Sequence, residues 1–239
     1  MKEFLKKFFS FFVPNFVKEY IRRDVHKYYE NFIEYSSLSY SQEGEDLILN
    51  NFFKNKENGY YIDIGAHHPK RFSNTYFFYK KNWTGINIDA MPGSMELFKK
   101  ERPKDINIET PISDKEEELT FYFFEEPANN GFWNDKEIKQ IDSELKGKKN
   151  IKCRTLESVL DEFFPSNKVI DFISIDVELY EINVLKSNNW NKYKPKVIII
   201  EDFSINNIEN PKNSEIYKYL TNLNYKLFAK TNNNSFYCL

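Results

Sequence analysis

The sequence predicts an α/β fold, a doubly wound and mostly parallel sheet with helices on both faces. β-Forming runs with an acid at or one residue before their end, such as YIDI before Gly65, TGINID, DFISIDVE and KVIIIE, alternate with helical patterns along the chain. The C-terminus closes with two runs in tandem, YKLFAKT and NSFYCL, a strand-turn-strand that makes one strand antiparallel in a main sheet of seven. At 239 residues the chain is long enough to bury one full core.

Taken in order, residues 1–39 read as a helical extension and residues 40–239 as the main domain. Phe4, Leu5, Phe8, Phe9, Phe12 and Phe16 fall near helical spacing, Pro14 interrupts them, and a second amphipathic pattern runs from Val17 to Phe32. Residues 2–34 carry seven basic and five acidic side chains. That mixture favours packing or homodimerisation over a membrane surface, although peripheral membrane contact by this basic, Phe-rich segment stays open. Charge interrupts the apolar stretch, and no small-residue cleavage site follows it, which argues against a signal peptide.

Ser41 reads as the N-cap of a helix through Phe53, with Glu43 and Glu45 in its first turn. Gly44 in that turn is unfavourable for a helix and suggests close approach by a ligand or another backbone, which draws attention to Ser41 and Gln42. Tyr61–Ile64 is a buried strand, and a helix is expected over Arg71–Asn82. Thr84–Asp89 and Ile106–Ser113 follow as strands, and Leu119–Phe124 as another. The Asn-rich loop Glu125–Asp135 carries Phe132 and Trp133 and suits the wall of a pocket. Further helices are expected from Thr155 or Ser158 to Phe164, after Glu178, and over Ser214–Leu223.

Composition excludes several classes. The net charge of −2 offers no broad basic surface for nucleic acid. No apolar run of roughly 18 residues is present to span a membrane. Cys153 and Cys238 lie far apart without metal-ligand spacing, so nothing calls for an oxidising compartment and a cytoplasmic location is the default.

The acids at the strand ends carry the chemistry. In a parallel sheet Asp63, Asp89, Asp176 and Glu201 fall at one carboxyl edge, where open α/β folds bind ligands. Asp89 lies 26 positions after Asp63, at the tip of the second strand, where a carboxylate can take both hydroxyls of a ribose. The turn Gly65-Ala66-His67-His68-Pro69 lacks the further glycines of a dinucleotide cradle, and no P-loop is present. Carboxylates without a phosphate cradle suit a cationic cofactor bearing a free ribose, and make a Rossmann dehydrogenase a poor fit.

The blocks YSQEGEDLIL, YIDIGAHHP, RFSNTYFFYKK, WTGINIDAMPGSM, RPKDINIE and FISIDVE, in this order, closely resemble the FkbM family of S-adenosylmethionine-dependent O-methyltransferases over roughly Tyr40–Phe203. The resemblance implies a class I methyltransferase fold, Rossmann-like, with the last strand of the sheet antiparallel. It implies that Asp63 and Gly65 line the methionine part of S-adenosylmethionine, Asp89 holds the ribose, and Ser113 and Asp114 lie near the adenine. Tyr40, Ser41 and Gln42 would meet the carboxylate end of the cofactor. Many members methylate hydroxyl groups in surface-polysaccharide or polyketide pathways, so a sugar or nucleotide-sugar is the expected substrate.

Methyl transfer to oxygen needs near-attack geometry and a group to take the hydroxyl proton. His67 and His68 are candidates, as imidazole titrates near neutrality, although capping roles for both stay open. Asp176 and Glu178 are also catalytic candidates. Asp176, Glu201 and Asp202 converge on one edge and suit either a divalent metal such as Mg²⁺ or direct hydrogen bonds to substrate hydroxyls. One departure stands out. The family usually has Gly after the second acid of the DVE block, where this chain has Leu179, and a non-catalytic scaffold is the alternative that this residue raises.

Overall fold

The computed structural model describes Val17 and residues 36–54, 56–126, 129–205 and 211–239. The chain divides into two units, Met1–Leu38 and Ser39–Leu239. Val17 is helical. The rest of the N-terminal patterns expected to pack, dimerise or meet a membrane lie outside the described residues.

In the second unit, α1 (Glu45–Phe52) leads to β1 (Tyr60–Ile64), α2 (Tyr76–Lys80), β2 (Thr84–Asp89), α3 (Ser94–Glu101) and β3 (Ile106–Glu109). Then follow β4 (Glu118–Phe124), α4 (Asp135–Ile138), β5 (Leu145–Lys152), α5 (Leu156–Phe163), β6 (Phe172–Ile175), α6 (Glu181–Lys186), β7 (Val197–Glu201), α7 (Glu215–Asn222), β8 (Lys226–Lys230) and β9 (Asn234–Cys238).

The main sheet has seven strands in the order β3-β2-β1-β6-β7-β9-β8. Its neighbours are parallel except around β9, which runs antiparallel to both β7 and β8. The last strand is therefore the antiparallel one, as expected from its place after a tight turn. β1 and β6 are adjacent although far apart in sequence, and chain connections leave them toward opposite edges of the sheet. That switch point opens the crevice at their carboxyl ends.

Alternation along the strands sorts the core onto two faces. Ile62, Ile64, Ile86, Ile88, Ile173, Ile175, Ile198 and Ile200 pack with Leu156, Leu160, Val184, Leu185 and Leu220 from α5, α6 and α7. Tyr61, Phe172, Val197, Ile199 and Phe236 face the other way, against Leu49, Phe53, Phe78 and Trp83. Burying a Leu, Ile or Phe side chain contributes about 1.5–3 kcal/mol, so these layers hold the strand tips firmly.

Several boundaries differ from expectation. Ser41 is not the N-cap of α1. That position is Gly44, whose φ of 87° requires left-handed backbone. A Cβ there would meet no other protein atom within 4 Å, so the left-handed turn and not close packing by another backbone accounts for the glycine. The helix expected over Arg71–Asn82 is confined to α2, because residues 69–75 are held in an irregular loop. β3 stops at Glu109 and β6 at Ile175, leaving Thr110–Ile112 and Asp176–Glu178 to turn into the crevice. β4 leaves the main sheet and pairs antiparallel with β5, a strand whose LKGKKNIK sequence gives no apolar alternation.

Candidate active site

A cavity of about 350 Å³ opens at the carboxyl edge, within the range of about 300–1,000 Å³ usual for ligand sites. Its wall comes from the tips of β1, β2, β3, β6 and β7, with Phe121, Asn130, Gly131 and Phe132 of the β4–β5 arm closing one side.

Asp89 stands at the β2 tip. His67 N–H donates to Oδ2 at 2.9 Å and Met91 N–H to Oδ1 at 2.8 Å. Each oxygen keeps further lone-pair capacity, and the residue lines the cavity. Burial raises the carboxyl pKa, while these N–H groups act in the opposite sense. A carboxylate fixed from behind in this way fits the hydroxyls of a ribose. Ala90, Met91, Thr110, Pro111 and Ile112 line the adjoining wall with mainly apolar surface, as an adenine ring would need.

At the β1 tip, Gly65 has a φ of 81°, and a Cβ there would lie 1.6 Å from the Asp176 carbonyl oxygen. The glycine is thus set by the close approach of the β6 tip as well as by the turn. Asp63 Oδ2 accepts from Thr75 Oγ1 at 2.6 Å. Burial pushes the Asp63 carboxyl up, opposed by Thr75 and by Arg102.

Arg102 is the hidden organiser of this side. Its side chain is fully buried. It donates from Nε to Pro69 O at 2.7 Å, from Nη1 to Thr75 Oγ1 at 2.7 Å and Asn87 Oδ1 at 3.2 Å, and from Nη2 to Ser73 Oγ at 2.6 Å. Phe98, Tyr76 and Tyr79 lie around the guanidinium at 5.4–5.7 Å. Asp105 is 3.9 Å away and accepts from Tyr61 Oη, Gly85 N–H and Asn87 Nδ2. This network fixes the loop that carries the lining residues Phe72, Ser73 and Asn74. Asn74 Nδ2 in turn donates to Ser174 Oγ on β6 at 3.0 Å. Sequence reading missed Arg102 because it sits at the end of a polar helix, in a stretch that looks solvated. The signal available was the three-residue spacing to Asp105.

The β6–β7 end is acidic. Asp176, Glu178 and Glu201 all line the cavity. Burial, with repulsion from Asp63 and Glu45, raises Asp176 to about 6, and burial with repulsion from neighbouring acids including Asp176 raises Glu178 to about 8 and Glu201 to about 9. Glu181, raised to about 7 by burial, accepts the Val177 N–H at 3.1 Å and so secures the turn between them. That turn is left-handed at Glu178 and Leu179, with φ of 53° and 69°. Leu179 therefore takes up the backbone that glycine would adopt without strain. Its side chain is 55% exposed and lies outside the cavity lining, so it does not narrow the space beside Glu178.

Other expected residues are placed differently. His67 lines the cavity. His68 does not: its Nδ1 accepts the N–H groups of Lys70 and Arg71 at 3.0 and 2.9 Å, capping a turn. Burial, with the neighbouring charges, lowers its pKa. Ser113 is fully buried and donates to Asp114 and Glu117, each at 3.3 Å, so Thr110–Ile112 and not Ser113–Asp114 face the cavity. Of Tyr40, Ser41 and Gln42, only Gln42 lines it. The Tyr40 N–H and Ser41 Oγ instead donate to Asp46, at 2.7 and 3.0 Å, which moors the loop. Glu43 accepts the Asn233 N–H at 3.0 Å, bringing Asn233 to the same rim.

The expected metal set of Asp176, Glu201 and Asp202 gains no support from the geometry. Among the described residues, no group of three or more His, Cys, Asp or Glu side chains is arranged to hold a metal ion. Asp202 is turned away from Asp176 and Glu201. Its oxygens accept from Ser204 N–H at 3.0 Å, from Ser204 Oγ at 2.5 Å and from Ser214 Oγ at 2.5 Å, next to the cap of α7. Among the described residues no helix is long and apolar enough to cross a membrane.

Comparison with known proteins gives one family match. A model described as the methyltransferase FkbM domain matches residues 63–227. No curated protein matches the chain. Among solved structures, a TehB-like SAM-dependent methyltransferase from Corynebacterium glutamicum ATCC 13032 is similar at 9% identity and a TM-score of 0.41, covering 90% of this chain and 96% of that one.

Proposed function

Since this chain belongs to the FkbM methyltransferase family, an S-adenosylmethionine-dependent methyltransferase family, we propose that it methylates a hydroxyl group of a sugar. The substrate in this reading is a nucleotide-activated or lipid-linked sugar on the way to a capsule or O-antigen polysaccharide. The observation that carries it is one cavity lined both by Asp89, a strand-tip carboxylate suited to a ribose, and by the acids Asp176, Glu178 and Glu201.

When bound, S-adenosylmethionine supplies an electrophilic methyl group on a sulfonium centre. Asp89 would hold its ribose, Thr110–Ile112 and Met91 its adenine, and Gly65 would leave room for its methionine part beside Asp63. Gln42 and Asn233 present amides at the rim, suited to its carboxylate. The acceptor hydroxyl would lie toward Asp176, Glu178 and Glu201. Asp176, raised to about 6, is ionised near neutral pH and suits the group that must take the hydroxyl proton, whereas Glu178 and Glu201, raised to about 8 and about 9, hold their own protons there and are placed to hydrogen-bond the acceptor. His67 is the other candidate base. The neighbouring walls would have to hold the hydroxyl in line with the methyl group.

The test is transfer of label from methyl-labelled S-adenosylmethionine to a panel of nucleotide-activated and lipid-linked sugars. Label on a sugar oxygen supports the reading. Label on nitrogen or carbon, or none across a broad panel, overturns the hydroxyl assignment.

A further inference from the structure

The acceptor end of the cavity is unusual in what it lacks. Asp63, Asp89, Asp176, Glu178 and Glu201 line the cavity, whereas no Lys or Arg does so among the described residues. Asp63 and Asp89 already have protein donors. Glu201 does not: it is 7% exposed, and its Oε2 is buried without a hydrogen-bond partner. Lys230, the cation that acts on Glu201, directs its Nζ to the carbonyls of Thr231 and Asn232. A buried acid left without a donor costs free energy until something supplies one.

Two aromatic rings complete this end. Phe72 and Phe203 line the same cavity, 48% and 50% exposed. Phe72 has a φ of 56°, which is strained for an aromatic residue, and Arg71 lies over its ring at 4.3 Å. Aromatic faces attract cations through their quadrupole and also cover the apolar face of a saturated ring. Arg71 already covers one face of Phe72, which shows that a cation is accepted against that ring. Acids without a protein donor beside aromatic rings favour positive charge on a cyclic ligand, whose arrival drives off the protons that Glu178 and Glu201 otherwise hold near neutral pH. The cofactor brings a net positive charge of its own, but Asp63 and Asp176 at the β1 and β6 tips stand nearest to where its methionine part belongs. Glu178 and Glu201 then remain for the acceptor.

We propose that the β6–β7 end of this cavity takes an acceptor bearing a protonated amine, an amino sugar, whose ammonium donates to Glu178 and Glu201 while Phe72 and Phe203 cover its ring. This rests on the methyltransferase reading above and narrows its substrate class. A diphosphate or lipid carrier would extend past the aromatic rim, away from the carboxylates.

The test is calorimetry on the full chain at about pH 7 with EDTA present. Binding of S-adenosylhomocysteine is measured first. The loaded protein is then titrated with monosaccharides, each in hydroxyl, free-amine and N-acetyl form. At least one free amine is expected to bind about tenfold or more tighter than its hydroxyl and N-acetyl counterparts, the factor set by one charge-assisted hydrogen bond. Glu201→Gln and Glu178→Gln should erase that preference while S-adenosylhomocysteine still binds. Equal or weaker binding of the amine forms, or no binding by any sugar, overturns the proposal while leaving the cofactor site intact. A preference that appears only when Mg²⁺ replaces EDTA also overturns it, since a metal would then be the partner of these acids. Failure of S-adenosylhomocysteine itself to bind removes the methyltransferase reading and the proposal with it.

Discussion

Replacing Arg102 with Met tests the idea that a buried cation outside the cavity sets the shape of its floor. The side chain is fully buried and serves Pro69, Ser73, Thr75 and Asn87, with Asp105 at 3.9 Å. Met fills similar volume, so the loss is mainly electrostatic and hydrogen bonding. Removing one partner of a buried charge network costs about 3–5 kcal/mol, because the groups left behind stay desolvated. In a domain of this size 1 kcal/mol shifts Tm by about 2–4 °C, so a fall of about 10 °C is expected in thermal unfolding. The loop holding Phe72, Ser73 and Asn74 would also loosen, and Asp63 would lose the fixed orientation of Thr75. Affinity for S-adenosylhomocysteine should therefore fall about tenfold, equivalent to about 1.4 kcal/mol. Arg102→Lys should recover little, since an ammonium cannot span the same acceptors as a planar fork. Adding Asp105→Asn to Arg102→Met should restore part of the stability by neutralising the orphaned acid. A Tm within about 2 °C of the parent, with unchanged affinity, would refute the role given to Arg102.

Asp89→Asn keeps the shape of the β2 tip but weakens its acceptor strength, and calorimetry should show about a tenfold or greater loss of S-adenosylhomocysteine affinity, as expected for a charge-assisted pair. Leu179→Gly should stabilise. Left-handed backbone costs an L-residue about 1–2 kcal/mol, glycine's extra freedom in the unfolded chain returns about 0.5–1 kcal/mol, and the mostly exposed side chain offsets little, so Tm should rise by about 2 °C. A fall in Tm would show that Leu179 makes a contact worth more than its strain. Stability should also depend on pH with a definite sign. Glu178 and Glu201 are raised from 4.5 to about 8 and about 9, so the folded protein holds protons that the unfolded chain releases. Their contribution is fully present below about pH 4.5 and is lost as pH rises through 8 and 9. The urea midpoint of the ligand-free protein should decline from pH 6 to 9 and flatten in the Glu178→Gln, Glu201→Gln variant; a midpoint that rises over this range would contradict the assignment.

The sheet was legible because its strands are nearly uninterrupted apolar runs, and the acids that end them mark the carboxyl edge before any coordinates are known. Asp63, Asp89, Asp176 and Glu201 could be placed on one edge from that rule alone, and all four line the cavity. What the rule could not supply was the direction of a side chain after its strand has ended. Asp202 follows Glu201 directly, and the alternation of a strand sends it to the other face, where it meets Ser204 and Ser214. His68 follows His67 and is drawn back by two backbone N–H groups. Adjacent acids or histidines in sequence therefore read as one cluster but divide between the cavity and the turns that frame it. β5 was illegible for a related reason. Its Lys-rich stretch has no apolar period of its own, and only pairing with the aromatic β4 makes it a strand. Arg102 is the sharpest case, because its partners lie at positions 69, 73, 75, 87 and 105. Apart from Asp105, no local window joins them to Arg102, and the cavity floor they build is a property of the closed fold.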